Sequence, residues 1–170
     1  ASTYKHWSLD FGAENIAWLT LDREGEPVNS LGTEVLNELE QIVAQLESTP
    51  PKGVIFISGK DTGFIAGADI REFDQQTDPE AASEGVREVH RLFSRVESLP
   101  CPTVAAIDGF CLGGGLELSL ACDYRIAVDN DKTRIGFPEI QLGIFPGFGG
   151  TARSIRNLGG RSAMEVMLSA

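Results

Sequence analysis

The sequence predicts an α/β fold of strands joined by helical crossovers, on three observations. Gly53-Val54-Ile55-Phe56-Ile57-Ser58-Gly59 and Thr103 to Ile107 are short, continuous apolar runs, as strands covered on both faces require. Leu31 to Leu46 and Pro79 to Pro100 instead place apolar residues at intervals of three and four, so each is a helix with one buried face. Strands and helices alternate along the chain without a low-complexity linker or close repeat, which argues one crossover-connected domain with no internal boundary.

In chain order, Ile16 to Leu21 alternates large apolar residues with smaller ones and runs into Asp22-Arg23-Glu24-Gly25-Glu26-Pro27, a strand and its exit turn. In the first helix Val35, Leu36, Leu39, Ile42, Val43 and Leu46 form the apolar stripe, and Pro50-Pro51 stops it. After the glycine-bounded strand, a loop is expected through Phe64 to Asp69. Pro79 starts the second helix, with Val86, Val89, Phe93 and Val96 on one face, and Pro100 and Pro102 end it. The strand Thr103 to Ile107 follows, and Gly113-Gly114-Gly115 then opens a short helix through Leu116 to Ala121. Tyr124 to Val128 reads as a strand ending in the turn Asp129-Asn130-Asp131. Beyond Pro138 and Pro146, Thr151 to Leu158 and Ser162 to Leu168 read as closing helices, the last with Met164, Met167 and Leu168 on one face. Because the sequence stops in helical composition at Leu168-Ser169-Ala170, residues 1–170 are expected to be part of a longer polypeptide.

Composition excludes several functions. With 42% apolar residues in 170, the chain can build a core, so neither a disordered tail nor a disulfide-held miniprotein fits. A net charge of −11 and the lack of any basic run exclude binding along a nucleic-acid backbone. Cys101, Cys111 and Cys122 are odd in number and spaced for neither zinc nor a disulfide framework, so buried thiols in a reducing compartment are expected. No apolar run approaches the roughly 20 residues that span a bilayer, and no signal pattern opens the chain, so a cytoplasmic location is expected.

Nine of the 19 glycines fall between Gly109 and Gly150, which points to backbone that must stay uncovered. Gly147-Phe148-Gly149-Gly150-Thr151-Ala152 fits the dinucleotide fingerprint GxGxxA, but Phe145-Pro146 stands where that motif needs a strand. Ala66-Gly67-Ala68-Asp69 and Gly113-Gly114-Gly115 each follow a strand, and their free N–H groups can bind an oxyanion; close helix–sheet packing explains the glycines equally well. Glu117 and Glu139 lie among apolar residues, where a carboxyl can serve as acid or base, although an ion pair with Arg125 or Arg134 is the structural alternative. His6 and His90 stand beside no Ser or Cys nucleophile, and Asp69, Asp108, Glu117, Asp123 and Glu139 are too scattered for a metal site.

Four blocks together are specific: 64–70 (Phe-Ile-Ala-Gly-Ala-Asp-Ile); 102–109 running into Gly113-Gly114-Gly115-Leu116-Glu117-Leu118; Cys122 to Ala127; and 138–151 from Pro138-Glu139 to Gly150-Thr151. In content and order they strongly resemble the enoyl-CoA hydratase/isomerase (crotonase) family, above all the N-terminal hydratase region of bacterial multifunctional fatty-acid-oxidation α subunits. The resemblance implies a spiral of ββα repeats, an acyl-CoA thioester as substrate, and no metal or redox cofactor, coenzyme A being part of the substrate. It implies that the N–H groups of Ala68 and Gly114 form an oxyanion hole, and that Ala66 and Ile70 line the coenzyme A adenine pocket. Asp69 would brace the loop, and Gly147 would keep space open beside the water.

By the same resemblance, Glu117 would deprotonate the water that attacks C3 and Glu139 would deliver the proton to C2. Glu139 could also shuttle a proton in Δ3–Δ2 isomerisation. Family domains continue past residue 170 with helices that close the acyl pocket and carry trimer contacts, so a homo-oligomer or a larger fatty-acid-oxidation complex is expected. Local groups such as Lys60, Arg23 or Arg71 would have to meet the coenzyme A phosphates. Two rivals share these residues: an isomerase-only enzyme, and a non-catalytic acyl-CoA-binding or assembly module.

Overall fold

The computed structural model describes residues 4–73 and 78–169. The outer parts of the expected domain, residues 1–3 and Ala170, lie outside them. Strands β1 (Trp7–Phe11), β2 (Ile16–Leu21), β3 (Gly53–Ser58), β5 (Thr103–Ile107) and β7 (Tyr124–Ala127) form a five-stranded sheet in that spatial order. Only the β1/β2 pair is antiparallel. A second, parallel sheet holds β4 (Gly63–Ile65), β6 (Phe110–Leu112) and β8 (Arg134–Gly136).

The two sheets are filled in alternation. Each of β3, β5 and β7 enters the large sheet, and the next strand, β4, β6 or β8, enters the small one. Helices α3 (Pro79–Glu97), α4 (Gly114–Ala121) and α5 (Gly150–Leu158) return the chain after each pair. This is a spiral of ββα turns, and it places every β4-type strand end on the same side of the molecule.

Helix α1 (Thr33–Ser48) buries Val35, Leu39, Ile42, Val43 and Leu46, the expected stripe. It starts at Thr33 rather than Leu31 because Leu31 is paired, as an isolated parallel bridge, with Ala68. In α3, Pro79 follows an Asp78 cap whose side chain accepts the Glu80 N–H at 3.0 Å, and Val89, Leu92, Phe93 and Val96 turn inward. Helix α4 is buried on every side, as a short helix that is apolar all round must be, and Glu117 is its one charged residue.

The expectations that fail involve short or edge elements. Phe64 and Ile65, expected in a loop, form β4, and β1, β6, β8 and the one-turn helix α2 (Ile70–Phe73) are additional. Three-residue strands are too short for a periodicity to show, and tertiary pairing alone makes them strands. In α6 (Gly160–Leu168) the buried residue is Ala163, while Met164 and Leu168 are exposed. All three cysteines are free and buried, and burial pushes the Cys111 and Cys122 thiols up to about 12, so they are unreactive. Among the described residues no helix is long and apolar enough to cross a membrane.

Candidate active site

The site is assembled where β4 and β6 end beside α4. Gly113 turns the chain from β6 into α4 at φ +50°, ψ −122°, a conformation open to glycine, and its N–H donates to the Gly136 carbonyl at 3.0 Å. A Cβ on Gly115 would stand 2.5 Å from the Ile65 carbonyl oxygen, so the bare backbone of α4 packs directly on β4. A Cβ on Gly67 would stand 3.9 Å from the Gly114 nitrogen, which fixes how closely the two strand ends converge. Both alternatives left open for these glycines, packing and an uncovered amide, therefore apply, to different members of the triplet.

Beside them, the Leu31 N–H donates to the Gly67 carbonyl at 2.8 Å and the Asp69 N–H donates to the Leu31 carbonyl at 3.1 Å. In a parallel bridge of this kind the intervening residue points its own N–H to the other side. Among the described residues, neither the Ala68 N–H nor the Gly114 N–H has a protein acceptor. Two converging, unused backbone donors are the elements of an oxyanion site.

Asp69 anchors this loop from below. It is buried and takes Arg71 Nε and Nη2 at 2.9 and 2.8 Å and Arg23 Nη2 at 2.7 Å, and these guanidiniums, Arg71 first, hold its carboxyl well below the usual carboxylate range. Of the three cations considered for a phosphate, Arg23 is thus turned inward onto Asp69 and Ser30, and Lys60 pairs with Asp22 at 2.5 Å. Arg71 shares itself between Asp69 and Glu26 and remains 60% exposed. Ala66 is half-buried with its N–H on the Asn29 carbonyl, Ile70 lies exposed at the start of α2, and Gly147 is half-buried.

Glu117 enters from α4. Its Oε1 accepts two backbone N–H bonds, from Phe148 and Gly150, each at 2.7 Å. Burial nevertheless dominates and pushes its carboxyl up to about 7, with Glu139 raising it further and Arg153 opposing. Glu139, on a one-turn 3₁₀ segment (Pro138–Leu142), is half-buried and also raised by burial. Its Oε2 is buried with no hydrogen-bond partner among the described residues, and its Oε1 would be 2.9 Å from a Cβ on Gly113. The structure thus brings together Glu117, Glu139, Gly114 and Ala68. Neither Arg125 nor Arg134 reaches the glutamates: Arg125 donates to the Ser119 and Cys122 carbonyls, and Arg134 to the Thr133 carbonyl.

The second glycine cluster has a different use from the dinucleotide motif it resembles. The N–H groups of Phe148 and Gly150, at the start of α5, are taken by the Glu117 carboxylate, so the anion bound at this helix N-terminus is the protein's own. A Cβ on Gly150 would fall 2.6 Å from Glu117 Cγ, which is why glycine stands there. Sequence reasoning missed this pairing and the buried Arg153 that backs it. The available signal was Arg153 itself, one turn into a helix that opens at the Gly149-Gly150 pair.

Residues 12–170 match the enoyl-CoA hydratase/isomerase family. The chain belongs to that family. It is 44% identical over 169 residues to the fatty acid oxidation complex subunit alpha of Vibrio campbellii, a match covering 99% of this chain and 24% of that protein. The corresponding subunit of Vibrio vulnificus is 45% identical over 170 residues. The chain therefore spans about a quarter of the length of the curated relatives it matches. Among solved structures it resembles an enoyl-CoA hydratase from Bacillus anthracis (TM-score 0.88, 36% identity, 97% of this chain and 63% of that one). An enoyl-CoA hydratase from Geobacillus kaustophilus superposes with a TM-score of 0.91 at 29% identity, over 99% of this chain and 62% of that one. The ββα spiral is the crotonase fold of this family, as the sequence motifs imply.

A groove of about 900 Å³ leads away from the site between α1 and α3. Ala68 and Phe148 line it with the apolar Leu36, Val86, Val89 and Leu92, and Glu40, Glu88, Arg91 and Arg95 add charged groups.

Proposed function

We propose that this chain hydrates 2-enoyl-CoA thioesters, adding water across C2=C3. The observation that carries the reading is the unequal furnishing of the two carboxyls. Glu117 receives two N–H donors that favour its ionised form, whereas Glu139 Oε2 has none. One base and one acid converging on a single site is what addition of water requires.

In the proposed mechanism the thioester oxygen accepts the Ala68 and Gly114 N–H groups, and the acyl chain lies along the groove between α1 and α3. Glu117 removes a proton from water as its oxygen bonds to C3. The C2=C3 electrons move toward the thioester, and the two N–H donors carry the charge on the enolate oxygen. Glu139 then gives its proton to C2. Ala66 and Ile70 would contact the coenzyme A adenine, and Gly147 would leave room for substrate, since a Cβ there meets nothing closer than 3.9 Å. The residues themselves supply the proton transfers and the anion site, so the reading invokes no further cofactor.

Glu139 supports a second activity, Δ3–Δ2 isomerisation, because a buried carboxyl oxygen without a partner can take a proton from C2 and return it at C4. By analogy with the fourfold longer relatives, we place residues 1–170 within the hydratase/isomerase domain of a cytoplasmic, multifunctional fatty-acid-oxidation subunit that works in a complex.

The test is crotonyl-CoA hydration by the full chain beside 3-enoyl-CoA isomerisation. Glu139→Gln is expected to lower both by about 10²–10⁴ with little change in Tm, and Glu117→Gln to abolish hydration while sparing isomerisation in a chain that stays folded. Hydration at the wild-type rate in either variant would sink the mechanism. Loss of both activities on Glu117→Gln would assign the isomerase proton to Glu117 instead.

A further inference from the structure

Arg153 is almost completely buried, 4% exposed, and lies behind the site rather than in it. Its guanidinium is divided among three residues, one on the loop before α5 and two on α3. Nη1 donates to the Phe148 carbonyl at 3.1 Å, Nε and Nη2 reach Glu97 Oε2 on α3 at 3.1 Å each, and Nη2 contacts Ser94 Oγ at 3.4 Å. Glu97 is held in turn by Arg156 from α5, at 2.8 Å. The loop that Arg153 grips is the one whose Phe148 and Gly150 N–H groups meet Glu117. Gly149, between them, sits at φ +97°, and a Cβ on it would collide with Arg153 Nη1, so loop and guanidinium are fitted to each other.

We propose that Arg153 is a positioning residue for Glu117. By fixing the Phe148 carbonyl on one side of the loop it turns two N–H groups toward the carboxylate on the other, and its cation, anchored by Glu97, favours the ionised base. This rests on the assignment of Glu117 as the base. A buried guanidinium is costly to desolvate, and a purely structural link between α3 and α5 could be made by apolar residues. The geometry is explained when the cation serves the anion one loop away. The charged groups that act on Glu117 are Glu139, which disfavours its ionised form, and Arg153, which favours it. Glu97 and Arg156 lie behind Arg153, and the exposed His90 borders Gly149.

The test measures the pH profile of crotonyl-CoA hydration, and titrates the Glu117 side-chain carboxyl by ¹³C NMR in substrate-free protein, for wild type, Arg153→Met and Arg153→Lys. Without Arg153, kcat should fall by about 10–100-fold with KM within about threefold, since a misplaced base costs turnover more than binding. The acid limb and the Glu117 titration should both move to higher pH, and Lys, which keeps a charge and one donor, should restore part of each shift. A folded Arg153→Met variant whose acid limb and Glu117 titration match wild type overturns the proposal. If Arg153→Met does not fold, Arg153→Gln, which removes the charge and keeps a donor, takes its place, and an unmoved acid limb and Glu117 titration in it overturn the proposal. If Glu117→Gln leaves hydration intact, the base assignment fails, while the NMR titration still decides whether Arg153 sets the Glu117 proton.

Discussion

Glu117 and Glu139 are close enough to disfavour each other's charge, yet the chain supports them by unlike means. Glu117 projects from the middle of a fully buried helix and is met by two backbone donors of a loop that Arg153 holds from behind. Glu139 stands on a single 3₁₀ turn that buries none of its residues fully, and one of its oxygens is unpartnered. The difference teaches that this site holds one carboxyl rigidly on two donors that partly offset its burial, and leaves the other lightly held, raised by burial with no donor on Oε2. Rigid placement of a base and a protonated partner suit a step in which one group must aim a water and the other need only deliver a proton.

Two glycines offer the sharpest way to break the comparison, because each abuts one carboxyl. Gly150→Ala puts a methyl 2.6 Å from Glu117 Cγ and 3.0 Å from the Phe137 ring, neither of which can swing away cheaply. Hydration by this variant should fall by about 10²-fold or more, with KM little changed. Gly113→Ala puts its methyl 2.9 Å from Glu139 Oε1, the free end of a side chain, at a φ of +50°. Here the backbone strain should cost about 1–3 kcal/mol of stability, while the carboxyl moves aside and activity falls only about tenfold. A larger kinetic loss in Gly113→Ala than in Gly150→Ala would reverse the roles, making Glu139 the tightly aimed group.

The same contrast separates what was legible in the sequence from what was not. Glu117 could be singled out because a charged residue inside Leu116, Leu118 and Leu120 has no solvent face to occupy, and the long strands and helices announced themselves by periodicity. The glycines flagged a need for bare backbone, but spacing could not say which pack and which expose an amide. Gly115 proves to be for packing against Ile65, and Gly150 for seating Glu117. The Arg153 linkage was illegible because it joins residues 117, 148 and 97, brought together only when α3, α4 and α5 are folded on one another. The short strands β4, β6 and β8 were hidden for the same reason: their partners are each other, one spiral turn apart.

The least direct effect expected is on stability, and it reports the protonation of Glu117 without any substrate. In the folded chain this carboxyl titrates at about 7, against an ordinary value of 4.5 when unfolded. Between those values the folded state binds more protons than the unfolded one, so Glu117 makes stability fall as pH rises from about 4.5 to about 7 and adds no further slope above. The full span of that loss is on the order of 2–4 kcal/mol. Glu117→Gln cannot titrate, so the stability difference between variant and wild type should grow in the variant's favour across this window and then level off. Replacing the carboxylate also alters its bonds to Phe148 and Gly150, but that adds a constant offset, so the slope between pH 5 and pH 8 carries the information. Urea unfolding of both proteins at several pH values measures it. Glu139→Gln, at a half-buried site, should show a slope of the same sign but smaller. Equal slopes would mean that the two carboxyls are held alike, and a flat difference for Glu117→Gln would mean that its two N–H donors outweigh its burial.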